Sequence, residues 1–154
     1  IYMDTPEELE QLSIERIEEA QILFESKKFD GAYYLSGYSI ELALKAKICR
    51  KFGVPNLFTI DEKKLQNIGG INQVRKAVRT HNLFALLIMS GLMEKFDVDK
   101  ASIKALSLGS SIFFRNWSEE LRYRPCGSVK ENECKELLEL LTSENGILKW
   151  IAEN

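Results

Sequence analysis

The only imidazole in this chain of 154 residues is His81. An unperturbed histidine is the side chain best suited to moving protons near neutral pH. Arg75 stands upstream of it in the run Arg75-Lys-Ala-Val-Arg-Thr-His81. A guanidinium can hold an anion and an imidazole can move a proton. His81 also reads as an ordinary helix-start or interhelix hydrogen-bonding residue. The second unusual group is Glu41, a carboxylate within the apolar run Phe29–Phe52. Buried there, it costs several kcal/mol unless paired and hydrogen-bonded. The third feature is a basic stretch: residues 45–79 hold nine lysines and arginines against Asp61 and Glu62. Such a stretch can meet phosphates or simply face water; Lys45, Arg50, Lys51 and Arg79 are the phosphate-binding candidates within it, with Arg115 further on. Three cysteines without a Cys-x-x-Cys spacing and one histidine exclude a structural zinc site, and neither a metal nor a cofactor is expected.

These side chains must be positioned by helices. Phe29–Phe52 is apolar and small over most of its surface (Gly31, Ala32, Gly37, Ser39, Ala43, Ala46), the pattern of a central helix that neighbours approach closely. Asp30-Gly31 signals its start, and Gly53-Val54-Pro55 ends it. Before it, Thr5-Pro6-Glu7-Glu8 is a capping box opening an amphipathic helix over Pro6–Lys27, with Leu9, Ser13, Ile17, Ala20 and Phe24 on one face and an acidic, solvated face opposite. A short break at residues 28–30 makes the two helices antiparallel neighbours. Residues 53–71 read as a loop with one helical turn at Glu62–Gln66. A short basic helix follows over Asn72–Arg79, then a helix from Leu83 to about Phe96. Asp97 or Asp99 caps the next, with Ile103, Leu106, Ser110 and Phe113 inward. Tyr123–Gly127 is a turn, Ser128 and Glu131 form a second capping box, and Cys134, Leu137, Leu138, Leu141, Leu148 and Ile151 form a last stripe interrupted at Asn145-Gly146. No segment alternates with a two-residue period. The fold expected for residues 1–154 is one all-α domain, an up-and-down bundle of four to five main helices.

Apolar residues are 45% and charged residues 29% of the protein, the balance of a globular domain. No apolar run approaches the roughly 20 residues that span a bilayer, and the first residues lack a secretory pattern. A cytoplasmic, reduced setting is the expectation, with no membrane partner.

Three stretches together carry a family resemblance. Asp30-Gly31-Ala32-Tyr33-Tyr34 through Ile40-Glu41-Leu42-Ala43-Leu44-Lys45-Ala46 resembles the signature of the HEPN (higher eukaryotes and prokaryotes nucleotide-binding) domains. His81-Asn82-Leu83 with Leu86-Leu87 is similar to the H-x-L-x-x-L segment in the middle of that family's domains, and Trp117 through Arg122-Tyr123 to its W-x4-RY segment. The resemblance spans about residues 8–145 and implies a helical bundle, often dimeric. Its members include RNases of toxin–antitoxin and defence systems, partners of small nucleotidyltransferases, and non-catalytic binding domains. Active RNase members carry R-x4–6-H near the start of a late helix. Arg122 matches that arginine by position, yet Ser128 stands where a histidine would fall. Arg115-Asn116 begins like the motif but is followed by Glu120 and Leu121.

The resemblance therefore implies a homodimeric binding or assembly module of toxin–antitoxin or defence type, associated with a nucleotidyltransferase and holding a nucleotide or RNA, with a degenerate RNase motif. The alternative is a metal-independent endoribonuclease with His81, Arg122 and Arg75 as catalytic residues. Arg122 is also the partner expected for Glu41, with Arg115 second. Tyr33, Tyr34 and Tyr38 read as core or interface aromatics, with base stacking as their alternative use, and Trp117 as an anchor for 117–123.

Overall fold

The computed structural model describes residues 5–54, 57, 58, 63 and 68–154, with the backbone alone for 112–116. It is an all-α bundle, without a strand among the described residues. Four helices are long: α1 (Pro6–Glu25), α2 (Phe29–Phe52), α6 (Lys104–Asn116) and α7 (Glu131–Thr142). Between and after them lie the short helices α3 (Ile71–Val78), α4 (Leu83–Met89), α5 (Met93–Asp99) and α8 (Ile147–Glu153), with a 3-10 helix at Glu119–Tyr123.

The helix boundaries follow from local chemistry. The Glu8 N–H donates to the Thr5 hydroxyl at 3.2 Å and the Thr5 N–H to the Glu8 carboxylate at 3.0 Å, a reciprocal cap that fixes the start of α1. α2 ends where Gly53 turns left-handed at φ 62°. Half of its 24 residues are buried, and it packs against α1, α4, α7, α8 and the 3-10 helix. Its seam with α1 is built of small residues. Ser13 donates to the Ser39 carbonyl at 2.6 Å, and Ser39 returns its own hydroxyl to the Ser36 carbonyl at 2.7 Å. Buried hydroxyls satisfied in this way allow close approach without an unpaired polar group.

Several boundaries differ from the sequence reading. Leu83–Phe96 is not one helix: Gly91, at φ 79°, separates α4 from α5. The apolar register continues across the break, with Leu92 and Phe96 both buried, so periodicity alone does not expose it. Asp30 stands in the first turn of α2, where the sequence signals a helix start, and it has a longer-range role as well. Its carboxylate accepts the N–H groups of Gly127 at 2.6 Å and Val129 at 2.8 Å, tying the start of α2 to the approach to α7. Ser128 does not cap α7: its hydroxyl donates to the Pro125 carbonyl, and the helix begins at Glu131 after Lys130. Asp99 ends α5 and accepts the Trp150 indole N–H at 2.8 Å, instead of opening α6. Of the turn expected at Glu62–Gln66 only Lys63 is described, in a 3-10 conformation, and the inward Phe113 side chain lies outside the described residues.

Candidate functional site

Glu41 occupies the middle of α2 and is 2% exposed. The partner expected for it, Arg122, is not the one the fold supplies. Lys45, one helical turn on, reaches its Oε1 at 2.5 Å. His81 Nδ1 lies 3.0 Å from each carboxylate oxygen. The reason is geometric. Arg122 is on the exposed 3-10 helix, whereas positions i and i+4 share a helix face and the α3–α4 connection brings His81 onto α2. Lys45 is itself buried, with its ammonium 4.7 Å from the Phe58 ring centre. The pair is thus an interior one, further satisfied by an imidazole.

His81 is held from both sides. In the connection around it, the Asn82 N–H donates to the Thr80 hydroxyl at 3.1 Å, and the Asn82 side chain caps α4 by accepting the Ala85 N–H at 2.9 Å. With Nδ1 on Glu41, the ring still leaves 43% of its side chain exposed. Its other nitrogen, Nε2, has no hydrogen-bond partner among the described residues. Tyr38 stands edge-on to the imidazole, ring centres 6.1 Å apart.

From Tyr38 a line of polar groups leads to Arg122. The Tyr34 hydroxyl donates to that of Tyr38 at 3.3 Å, and the two rings, one turn apart, meet edge to face at 5.0 Å. Burial, then the Tyr34 hydroxyl and the Glu41 charge, raise the Tyr38 phenol well above its ordinary value, keeping it protonated and neutral. The Tyr34 and Tyr123 side chains near Arg122 push its guanidinium pKa further up, and the guanidinium lies 4.9 Å from the Tyr123 ring centre. Trp117, 5% exposed, closes the cluster from below. Its indole N–H donates to the Tyr34 carbonyl at 3.1 Å, and its ring fills the space left by Gly37. Trp117 is the anchor its segment implied.

The basic residues fall into two groups. At the end of α2, Arg50 is committed to the acidic face of α1: its Nε and one terminal nitrogen fork onto Glu10 at 3.0 and 2.9 Å, and the other meets Glu7 at 2.9 Å. Lys45 is spent on Glu41, Lys47 donates to the Ala152 carbonyl at 3.1 Å, and Lys51 passes over Gly91. At the basic end of α2, where phosphate was expected, Lys45 and Arg50 are therefore already paired with carboxylates of the protein. The second group sits on α3, where Asn72, Arg75, Lys76 and Arg79 line a hollow of about 380 Å³. Lys76 and Arg79 are exposed and Arg75 is buried, and Arg79 precedes His81 by two residues. Asn72 is a member that sequence reasoning missed, since an amide at a helix start carries no signal by itself. The Arg115 side chain is outside the described residues.

Among the described residues no cluster of three His, Cys, Asp or Glu side chains could hold a metal ion, and no helix is long and apolar enough to cross a membrane. Models of known families, curated proteins and solved structures give no match to this protein. The functional reading therefore rests on the site itself.

Proposed function

We propose that this protein is a HEPN-like helical module that binds the phosphates of a nucleotide or RNA. In this reading it acts as a homodimeric assembly partner in a toxin–antitoxin or defence pair with a nucleotidyltransferase. The observation that supports the binding part is the α3 hollow, in which Arg75, Lys76, Arg79 and the Asn72 amide face one concavity. Cations and an amide converging in this way suit phosphate oxygens, and neutralising phosphates releases counterions. The test is fluorescence anisotropy with a short single-stranded RNA and with a nucleoside triphosphate across a salt series. Binding should weaken steeply with salt. Replacing both Lys76 and Arg79 with Ala should weaken it and reduce the salt slope by about 0.7 per lost phosphate contact. If the double variant binds like the parent at every salt concentration, the hollow is not the site. The assembly part is tested by sedimentation equilibrium, where a monomer at all concentrations would remove the homodimer, and by co-purification with a nucleotidyltransferase.

A second reading, a metal-independent endoribonuclease, is favoured by the Glu41-bound His81 with its ring open to solvent. In that reaction His81 Nε2 takes the proton of an RNA 2′-OH as O2′ attacks phosphorus. The P–O5′ bond breaks and the leaving oxygen receives a proton from the imidazolium. The products are a 2′,3′-cyclic phosphate and a 5′-OH, and no co-reactant is needed. His81→Ala should lower cleavage by about 10²–10⁴-fold; unchanged cleavage would remove this reading.

A further inference from the structure

A buried carboxylate with a lysine already at one oxygen still has lone pairs to satisfy, and a backbone N–H or a serine hydroxyl would serve. The group actually present is the protein's only imidazole, and only one edge of it is used. Nδ1 is 3.0 Å from both oxygens of Glu41. A carboxylate can only accept, so in the neutral ring this geometry requires Nδ1 to carry the proton. Nε2 is then the bare nitrogen, on a ring that is 43% exposed. The ring cannot swing freely: the capped start of α4 fixes the backbone beside it, and Tyr38 stands against one edge. The Lys45 ammonium, 2.5 Å from Oε1 of the same carboxylate, is a counter-charge within the interior.

We infer that Glu41 is a positioning residue for His81: it selects the Nδ1–H tautomer and presents Nε2 outward as a proton acceptor, with Lys45 as the internal counter-ion that holds the carboxylate in place. The arrangement follows the general logic of an acceptor-only carboxylate orienting a base. It is assembled here from mid-α2 and the α3–α4 connection, not from one late-helix motif. The inference takes up the endoribonuclease reading for the use of Nε2, but the positioning itself is measured without RNA.

Because there is a single histidine, one imidazole pair appears in a long-range nitrogen–proton NMR spectrum of the uniformly ¹⁵N-labelled protein. Above the ring's own titration, the parent should show a protonated Nδ1 and a pyridine-type Nε2. In the apolar double replacement Glu41→Leu/Lys45→Met, which leaves no unpaired buried charge, this preference should be lost, with the fold checked by circular dichroism. Diethylpyrocarbonate should modify the parent at Nε2. A parent ring protonated at Nε2, or a tautomer unchanged in the folded double variant, would overturn the proposal. RNA cleavage is read separately. If the parent cleaves, the double variant should lose on the order of 10²-fold or more in kcat with KM little changed, and an unchanged kcat would also overturn the role of Glu41. If the parent does not cleave while the tautomer is as expected, the endoribonuclease reading fails and the positioning stands.

Discussion

At the scale of single residues, the decisive group is Glu41. Its 2% exposure would be untenable without Lys45 and His81, and the three side chains must be considered as one unit. Lys45→Met should cost about 3–5 kcal/mol, because it strands a buried carboxylate. Glu41→Leu/Lys45→Met should recover most of that loss, and the sum of the two single changes should exceed the double. Urea denaturation of the four proteins checks this; additive losses would show that the pair is not coupled. The cysteines differ by environment in a similar way. Cys126 is exposed, whereas Cys49 and Cys134 are buried. Burial, reinforced by the Glu133 charge, pushes the Cys134 thiol up to about 11. In the native protein one thiol should react promptly with a disulfide reagent at pH 8, and all three only after unfolding.

At the scale of elements, α2 works because of what it lacks as much as what it carries. A Cβ on Gly37 would come within 1.9 Å of the Trp117 indole nitrogen. Gly37→Ala must therefore displace the ring that supports Tyr34 and, through it, Arg122. The expected loss is about 1–3 kcal/mol, with a shift in tryptophan fluorescence that reports the displaced indole. An Ala variant as stable as the parent, with unchanged fluorescence, would mean that Trp117 is not fixed against α2. Helix propensity predicts the opposite sign, since alanine favours a helix interior over glycine by about 1 kcal/mol. The result therefore weighs packing against propensity directly. The 3-10 helix has no buried residue of its own; it depends on Trp117 for its position, which makes α2 responsible for the Arg122 end of the site as well as the His81 end.

At the scale of the whole molecule, buried acids set the response to alkali. Tyr33 is pushed up to about 12, chiefly by burial, and Cys134 to about 11. Both are neutral when protonated and unfavourable to ionise in the fold. Each therefore contributes stability that is complete below its unfolded pKa and declines as pH rises through its folded one. The decline should start near pH 9, where an unfolded thiol ionises, and deepen through pH 11 as the phenol adds to it. Urea midpoints at pH 8, 9.5 and 11 should fall in that order; a flat profile would mean that these groups ionise as readily folded as unfolded.

Much of the scaffold was legible in the amino-acid sequence because it depends on local rules. The limits of α2 follow from its apolar run and Gly53, the start of α1 from the Thr5–Glu8 box, and the break before α8 from Asn145-Gly146. Local rules misplaced the pieces whose roles are long-range. Ser128 reads as a cap but turns back to the Pro125 carbonyl, and Leu83–Phe96 has one apolar register across two helices. The same division runs through the site. Glu41 and His81 each stood out alone, one as the carboxylate in an apolar helix and the other as the sole imidazole. Their spacing of 40 residues gives no hint of contact, and a partner search by charge favoured Arg122. Composition and spacing determined that this is a helical protein with one awkward buried acid and one histidine. Only the tertiary structure decided that they meet, that Arg50 at the end of α2 pairs with α1, and that α3 carries the open basic surface. Each of these depends on which helix faces turn toward each other, which is set by packing across the whole bundle and by no single stretch of the sequence.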